Sequence, residues 1–148
     1  MNNKEEKYTL LTKQIEALIA GETDMIAVMS NVCAAIHEEM GFFWTGFYRV
    51  HDGELLLGPF QGPVACMHIG YGRGVCGTAW QQQQTIVVPD VEQFPGHIAC
   101  SSLSRSEIVV PVFDAVGKVK AVLDIDSKEL NTFDEIDQKW LEEIVRYL

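Results

Sequence analysis

EIVVPVFDAVGKVKAVLDID, residues 107–126, reads as two β-strands joined by a tight turn. The runs 107–113 and 119–126 are rich in β-branched residues, and Gly117 between them suits a turn that needs positive φ. An antiparallel pair is the expectation. Side chains alternate along a strand, so Leu123 and Ile125 share one side of the sheet while Asp124 and Asp126 share the other. Two acids on one face are odd for a strand this apolar. Glu107 opens the partner strand, and the hairpin carries it toward the same place. Three carboxylates on one face are either a solvated surface or a site for a cation, a metal or a bound ammonium. In the second case one acid stays protonated because its neighbours carry like charge.

Working outward, FFWTGFYRV (42–50) and ELLLGPF (54–60) flank His51-Asp52-Gly53, and Asp-Gly is a strong hairpin signal. TIVVPDV (85–91) reads as a short strand stopped by Pro89. GVCGTAWQQQQ (74–84) reads as a short helix entered through the glycine-rich GYGRG. The first forty residues carry helical periodicity: Leu10, Leu11, Ile15, Leu18 and Ile19 form one stripe. Met25, Ile26, Met29, Val32, Cys33, Ile36 and Met40 form a second after Gly21. Thr23 is the expected N-cap of that second helix and Gly41 its stop. Near the C-terminus, Thr132-Phe133-Asp134-Glu135 fits a capping box opening a helix over 132–148. The expectation is an α+β fold, an antiparallel sheet flanked by N- and C-terminal helices. It is read as one domain over 1–148, with N-terminal helices at 4–40, sheet and site loops at 42–127, and a C-terminal helix at 132–148.

A chain of 148 residues, 47% hydrophobic and 22% charged, can bury a core without covalent staples. Its formal charge of −10 argues against nucleic acid and against an anionic membrane surface, because both reward Lys and Arg. The polar start, MNNKEEKYTLLTKQ, is unlike a secretion signal, and no apolar run approaches the ~18 residues of a membrane span. A cytoplasmic protein is expected. Four cysteines in a reducing compartment are catalytic, metal-bound or buried more often than bridged.

Cys33 lies on an apolar helix face and reads as core. Cys66 in GPVACMHIG has small or apolar neighbours. Cys76 in GRGVCGTAW sits near a helix N-terminus, where backbone N–H groups and the helix dipole favour a thiolate. Cys100 follows His97 by three residues in a serine-rich loop. Three loop thiols are an oxidation risk unless oxidation is their work. Cys66, His68, Cys76, His97 and Cys100 also offer five soft metal ligands, but nine residues separate Cys66 from Cys76, unlike the tight knuckles of structural zinc sites, so no metal is assigned. Trp44 and Tyr48 lie four residues apart on one strand and hence on one face, suited to packing or to holding a methyl or sulfonium-like group beside a pocket.

The segments GPFQGPVACMHIGYGRGVCGTAW, VPDVEQFPGHIAC, SEIVVPV and LDIDS closely resemble the free methionine-(R)-sulfoxide reductases, single-domain enzymes with a GAF fold. The resemblance runs from about Trp44 to Ser127. It implies an enzyme that reduces free methionine (R)-sulfoxide with redox-active Cys66, Cys76 and Cys100. It implies substrate binding by Glu107, Asp124, Asp126, Trp44 and Tyr48, no bound cofactor, and thioredoxin as external reductant. It favours Cys100 as nucleophile, Cys66 as resolving partner and Cys76 as a further recycling thiol. The residues themselves leave open the reverse, Cys76 attacking and Cys100 resolving. Ser101 stands where the family more often has Asp. A homodimer through the terminal helices is a further expectation. The rival from another class is a GAF module that binds a small molecule without chemistry.

Overall fold

The computed structural model describes residues 3–98 and 100–148. In chain order they form α1 (Asn3–Ile19), α2 (Met25–Met40), β1 (Trp44–His51), β2 (Glu54–Gln61), β3 (His68–Ile69), α3 (Gly74–Gln82), β4 (Ile86–Val88), β5 (Ser106–Phe113), β6 (Val119–Ser127) and α4 (Glu135–Val145). The strands make one sheet in the order β3-β2-β1-β6-β5-β4. Every neighbouring pair is antiparallel, so the expected α+β architecture is the observed one.

Both expected hairpins form. Asp52 and Gly53 have φ of 50° and 79°, the paired positive values that a two-residue turn between twisted strands requires. In the β5–β6 turn Gly117 has φ of 86°, and Asp114 Oδ1 accepts from the backbone N–H groups of Val116 and Lys118. β4 ends before Pro89, as read. β3 is only two residues long and is held to Leu55 and Leu56 of β2.

The sheet separates two apolar layers. On one face α1, α2 and α4 cover Phe47, Ile108, Val110, Val112, Leu123 and Ile125, all essentially inaccessible to solvent. The Cys33 thiol lies in this layer and donates to Pro59 O; burial pushes its pKa up to about 12, so it stays a thiol. On the other face α3 and the loops around it cover Trp44, Tyr48, Leu55, Val109 and Val122.

Two helix starts differ from the sequence reading. The N-cap of α2 is Asp24, not Thr23. Asp24 Oδ1 accepts from Ala27 N, while the N–H groups of Thr23 and Asp24 are both drawn to the Glu22 carboxylate. Helix α4 starts after Asp134, and its capping box is Asp134 with Asp137 rather than Thr132 with Glu135. The Thr132 hydroxyl is already engaged, donating toward Ser127 Oγ and Glu129 O at the end of β6. Asp137 also fastens the two ends of the chain. Its fully buried carboxylate accepts from Tyr8 Oη at 2.6 Å, from Lys4 Nζ at 2.7 Å and from Asp134 N at 3.0 Å. A buried carboxylate surrounded by donors in this way is stabilised where a bare one would not be tolerated.

Candidate active site

Strand register assembles the acids. Glu107 pairs with Asp126 across β5–β6, and Val109 pairs with Asp124. On the other side of β6, Trp44 pairs with Asp126 and Gly46 with Asp124. Glu107, Asp124 and Asp126 therefore occupy neighbouring positions on the face away from α1, α2 and α4. Glu107 and Asp124 are buried and Asp126 is half-buried.

The aromatic wall is built from β1. The Trp44 ring stacks on Tyr48 at 6.1 Å and on Phe60 at 5.3 Å, and its Nε1 donates to Pro63 O. This packing needs Gly46: a Cβ there would lie 2.5 Å from both the Trp44 ring and Phe60 Cβ. Tyr48 Oη donates to Cys66 O at 2.9 Å, tying the wall to the loop that carries Cys66.

Cys66 and Cys100 are joined in a disulfide, with Cα atoms 5.4 Å apart. The two loops therefore meet, and the bridge borders the acids. A cavity of about 40 Å³ lies beneath, walled by Trp44, Tyr48, Glu107, Asp124 and Asp126. Cys76, His97 and Cys100 also line it. His97 Nε2 is 3.8 Å from Glu107 Oε1. Thus all eight residues to which the resemblance assigns a role border or close this one space, Cys66 through its bond to Cys100.

Their electrostatics follow from removing several acids from water at once. Burial pushes Glu107 well above the usual carboxylate range, and the charges of Asp124 and Asp126 push further. Burial likewise raises Asp126 well above its ordinary value, helped by Asp124. Asp124 is raised by burial too, but hydrogen bonding with Glu107 and Cys76 and the nearby His97 oppose the rise. Burial lowers His97, and Asp124 acts against that. Glu107 and Asp126 therefore hold their protons more tightly than free carboxyl groups do and can act as acids toward a bound group.

Cys76 corrects the sequence reading. It is the third residue of α3, yet it points into the sheet and is 3% exposed. Burial raises its pKa well above the ordinary thiol value, and Asp124, Glu107 and Asp126 reinforce the rise. Desolvation and three acids outweigh the helix dipole, so this thiol is held protonated. The five-ligand metal grouping does not assemble either. Cys66 and Cys100 are bonded to each other, and His68 pairs with Glu54 at the exposed sheet edge. A different grouping does: Cys76, Glu107 and Asp124 each offer a donor atom, all within 4.8 Å of one another.

Sequence reasoning missed the Gly46 contact and the start of α3 as a wall. The residues Arg73, Gly74 and Val75 border the cavity, and nothing in their side chains announces it.

Known proteins share this fold. A family model described as GAF domain matches residues 22–148. A GAF domain-containing protein A from Dictyostelium discoideum is 58% identical over 99% of this chain and 92% of its own. A free methionine-R-sulfoxide reductase from Escherichia coli is 44% identical over 99% of this chain and 88% of its own. The X-ray structure of free methionine-R-sulfoxide reductase from Neisseria meningitidis, in complex with its substrate, superposes with a TM-score of 0.96. It is 50% identical, covering 99% of this chain and 89% of that one.

Proposed function

This chain belongs to the GAF domain family and, within it, to the free methionine-R-sulfoxide reductases, and we propose that it reduces free methionine (R)-sulfoxide to methionine by thiol chemistry. The observation that carries the reading is a Cys66–Cys100 disulfide closing a cavity walled by three acids. In this reading the Cys100 thiolate attacks the sulfoxide sulfur. The S–O bond breaks as oxygen passes to Cys100, methionine leaves, and Cys100 becomes a sulfenic acid. The Cys66 thiol then displaces that oxygen as water, giving the disulfide. A dithiol donor of the thioredoxin class reduces it through a mixed disulfide and is itself oxidised. No bound cofactor is required.

The sulfoxide oxygen is a poor leaving group until it is protonated. Glu107 and Asp126, held neutral by burial and like charge, are the proposed donors, directly or through water. The acid wall suits the α-ammonium that only a free amino acid carries, which favours it over methionine inside a polypeptide. The substrate carboxylate is assigned to the backbone N–H groups opening α3, at Gly74 and Val75, where a helix N-terminus attracts an anion. Trp44 and Tyr48 hold the S-methyl group. Cys76, protonated beneath the acids, is proposed to act in recycling rather than attack.

Among the described residues no helix is long and apolar enough to cross a membrane. A reducing compartment such as the cytoplasm, where dithiol donors are kept reduced, fits the proposed recycling. The homodimer expectation is checked by sedimentation. The function is tested by incubating the protein with each epimer of free methionine sulfoxide, thioredoxin, its reductase and NADPH, and measuring methionine. Methionine from the R epimer alone is expected. Binding of the amino acid without methionine formation would identify a sensor module instead.

A further inference from the structure

We propose that Cys76, Glu107 and Asp124 form a binding site for a thiophilic divalent cation of the zinc or cadmium class. The three side chains come from α3, β5 and β6, and their donor atoms lie within 4.8 Å of one another. All three are more than nine-tenths buried: Cys76 is 3% exposed, and Glu107 and Asp124 are each 6% exposed. A second observation points to a ligand. Asp124 Oδ1 is buried without a hydrogen-bond partner, and Asp124 lines the cavity. An orphaned carboxylate oxygen costs stability that a bound cation would return.

The donor set selects the ion. One sulfur and two carboxylate oxygens suit zinc, which binds sulfur at about 2.3 Å and carboxylate oxygen at about 2.0–2.2 Å. Calcium and magnesium prefer oxygen alone. Three protein donors leave one tetrahedral position for water, or for His97, which lies beside Glu107. The 40 Å³ cavity has room for an ion and its water. Binding releases protons from Cys76 and the carboxyl groups to solvent and involves no change of oxidation state. The Cys66–Cys100 bond stays intact. If the reading of the acids as the seat of the substrate ammonium is right, ion and substrate exclude each other, and the ion is an inhibitor.

The test needs neither substrate nor turnover, so it stands apart from the proposed activity. In the disulfide form the free thiols among the described residues are Cys33 and Cys76. Titration of that form with Co²⁺ should give a near-ultraviolet thiolate-to-cobalt charge-transfer band, bleached by added Zn²⁺. The band should persist in Cys33→Ser and vanish in Cys76→Ser. Asp124→Asn, which keeps the side-chain shape, should weaken Co²⁺ binding by at least about tenfold. No band with Co²⁺ in excess would overturn the proposal. So would a band that survives Cys76→Ser, or an affinity unchanged in Asp124→Asn.

Discussion

The two faces of β6 differ by one residue step and by nearly everything else. Leu123 and Ile125 point into a layer of hydrocarbon closed by three helices. Asp124 and Asp126 point into a small space shared with Glu107, a protonated thiol and two aromatic rings. The first face is held by close packing, where each removed methylene is felt. The second gathers groups that repel one another when ionised, and it carries the chemistry. One strand therefore stabilises the fold and burdens it on alternate residues.

The sharpest break in that comparison is at the thiols. Cys100→Ser should reduce methionine formation to background while the melting temperature stays close to wild type. Retained single-turnover release would transfer the attacking role to Cys76. Cys66→Ser should release about one methionine per protein and then stall with thioredoxin, as a quenched-flow count would show.

Neighbouring substitutions on β6 come next. Leu123→Ala should cost ~2–5 kcal/mol in denaturant unfolding, with specific activity of the folded fraction little changed. Asp126→Asn should do the reverse: activity falls strongly and the unfolding midpoint holds or rises. Equal effects of both changes would erase the distinction between the faces.

A smaller effect concerns pH. Glu107 titrates higher in the folded chain than unfolded, so its protonated form favours folding. Its contribution is full below the unfolded value, about 4, and is lost as pH rises through the raised folded value. Wild type should therefore lose stability relative to Glu107→Gln as pH rises from about 4 toward the raised folded value, measured as the difference in urea midpoints. A constant difference would mean that Glu107 is not held protonated. The smallest effect lies far from both faces. Asp134→Ala should cost ~0.5–2 kcal/mol through loss of the α4 cap, and Thr132→Ala should not act through that cap.

Much of this was legible in local pattern. Period-two alternation placed Asp124 and Asp126 together, and the turn residues Asp52, Gly53 and Gly117 located both hairpins. Neither signal depends on anything far along the chain. What failed depended on competition between distant groups. Thr132 looks like a cap until β6 engages its hydroxyl, and Asp137 outbids Glu135 because Lys4 and Tyr8 arrive from the other end of the sequence. Cys76 looks activated by its helix until strands more than thirty residues away bring acids against it. β3, two residues long, is too short to leave a period. The pairing of Cys66 with Cys100 came from resemblance to a family, since spacing alone does not choose among cysteines.

The buried Asp137 carboxylate has a practical corollary for anyone drawing the edge of this unit. The family match begins at residue 22, beyond α1, yet two of the donors that quiet this carboxylate are Lys4 and Tyr8. Trimming the chain to the matched segment would remove both donors together with Leu11, Ile15 and Ile19, which with Tyr8 form the buried face that α1 packs into the core. The first helix thus serves as a clasp between the two ends of the fold, and an expression boundary set at residue 22 would remove it.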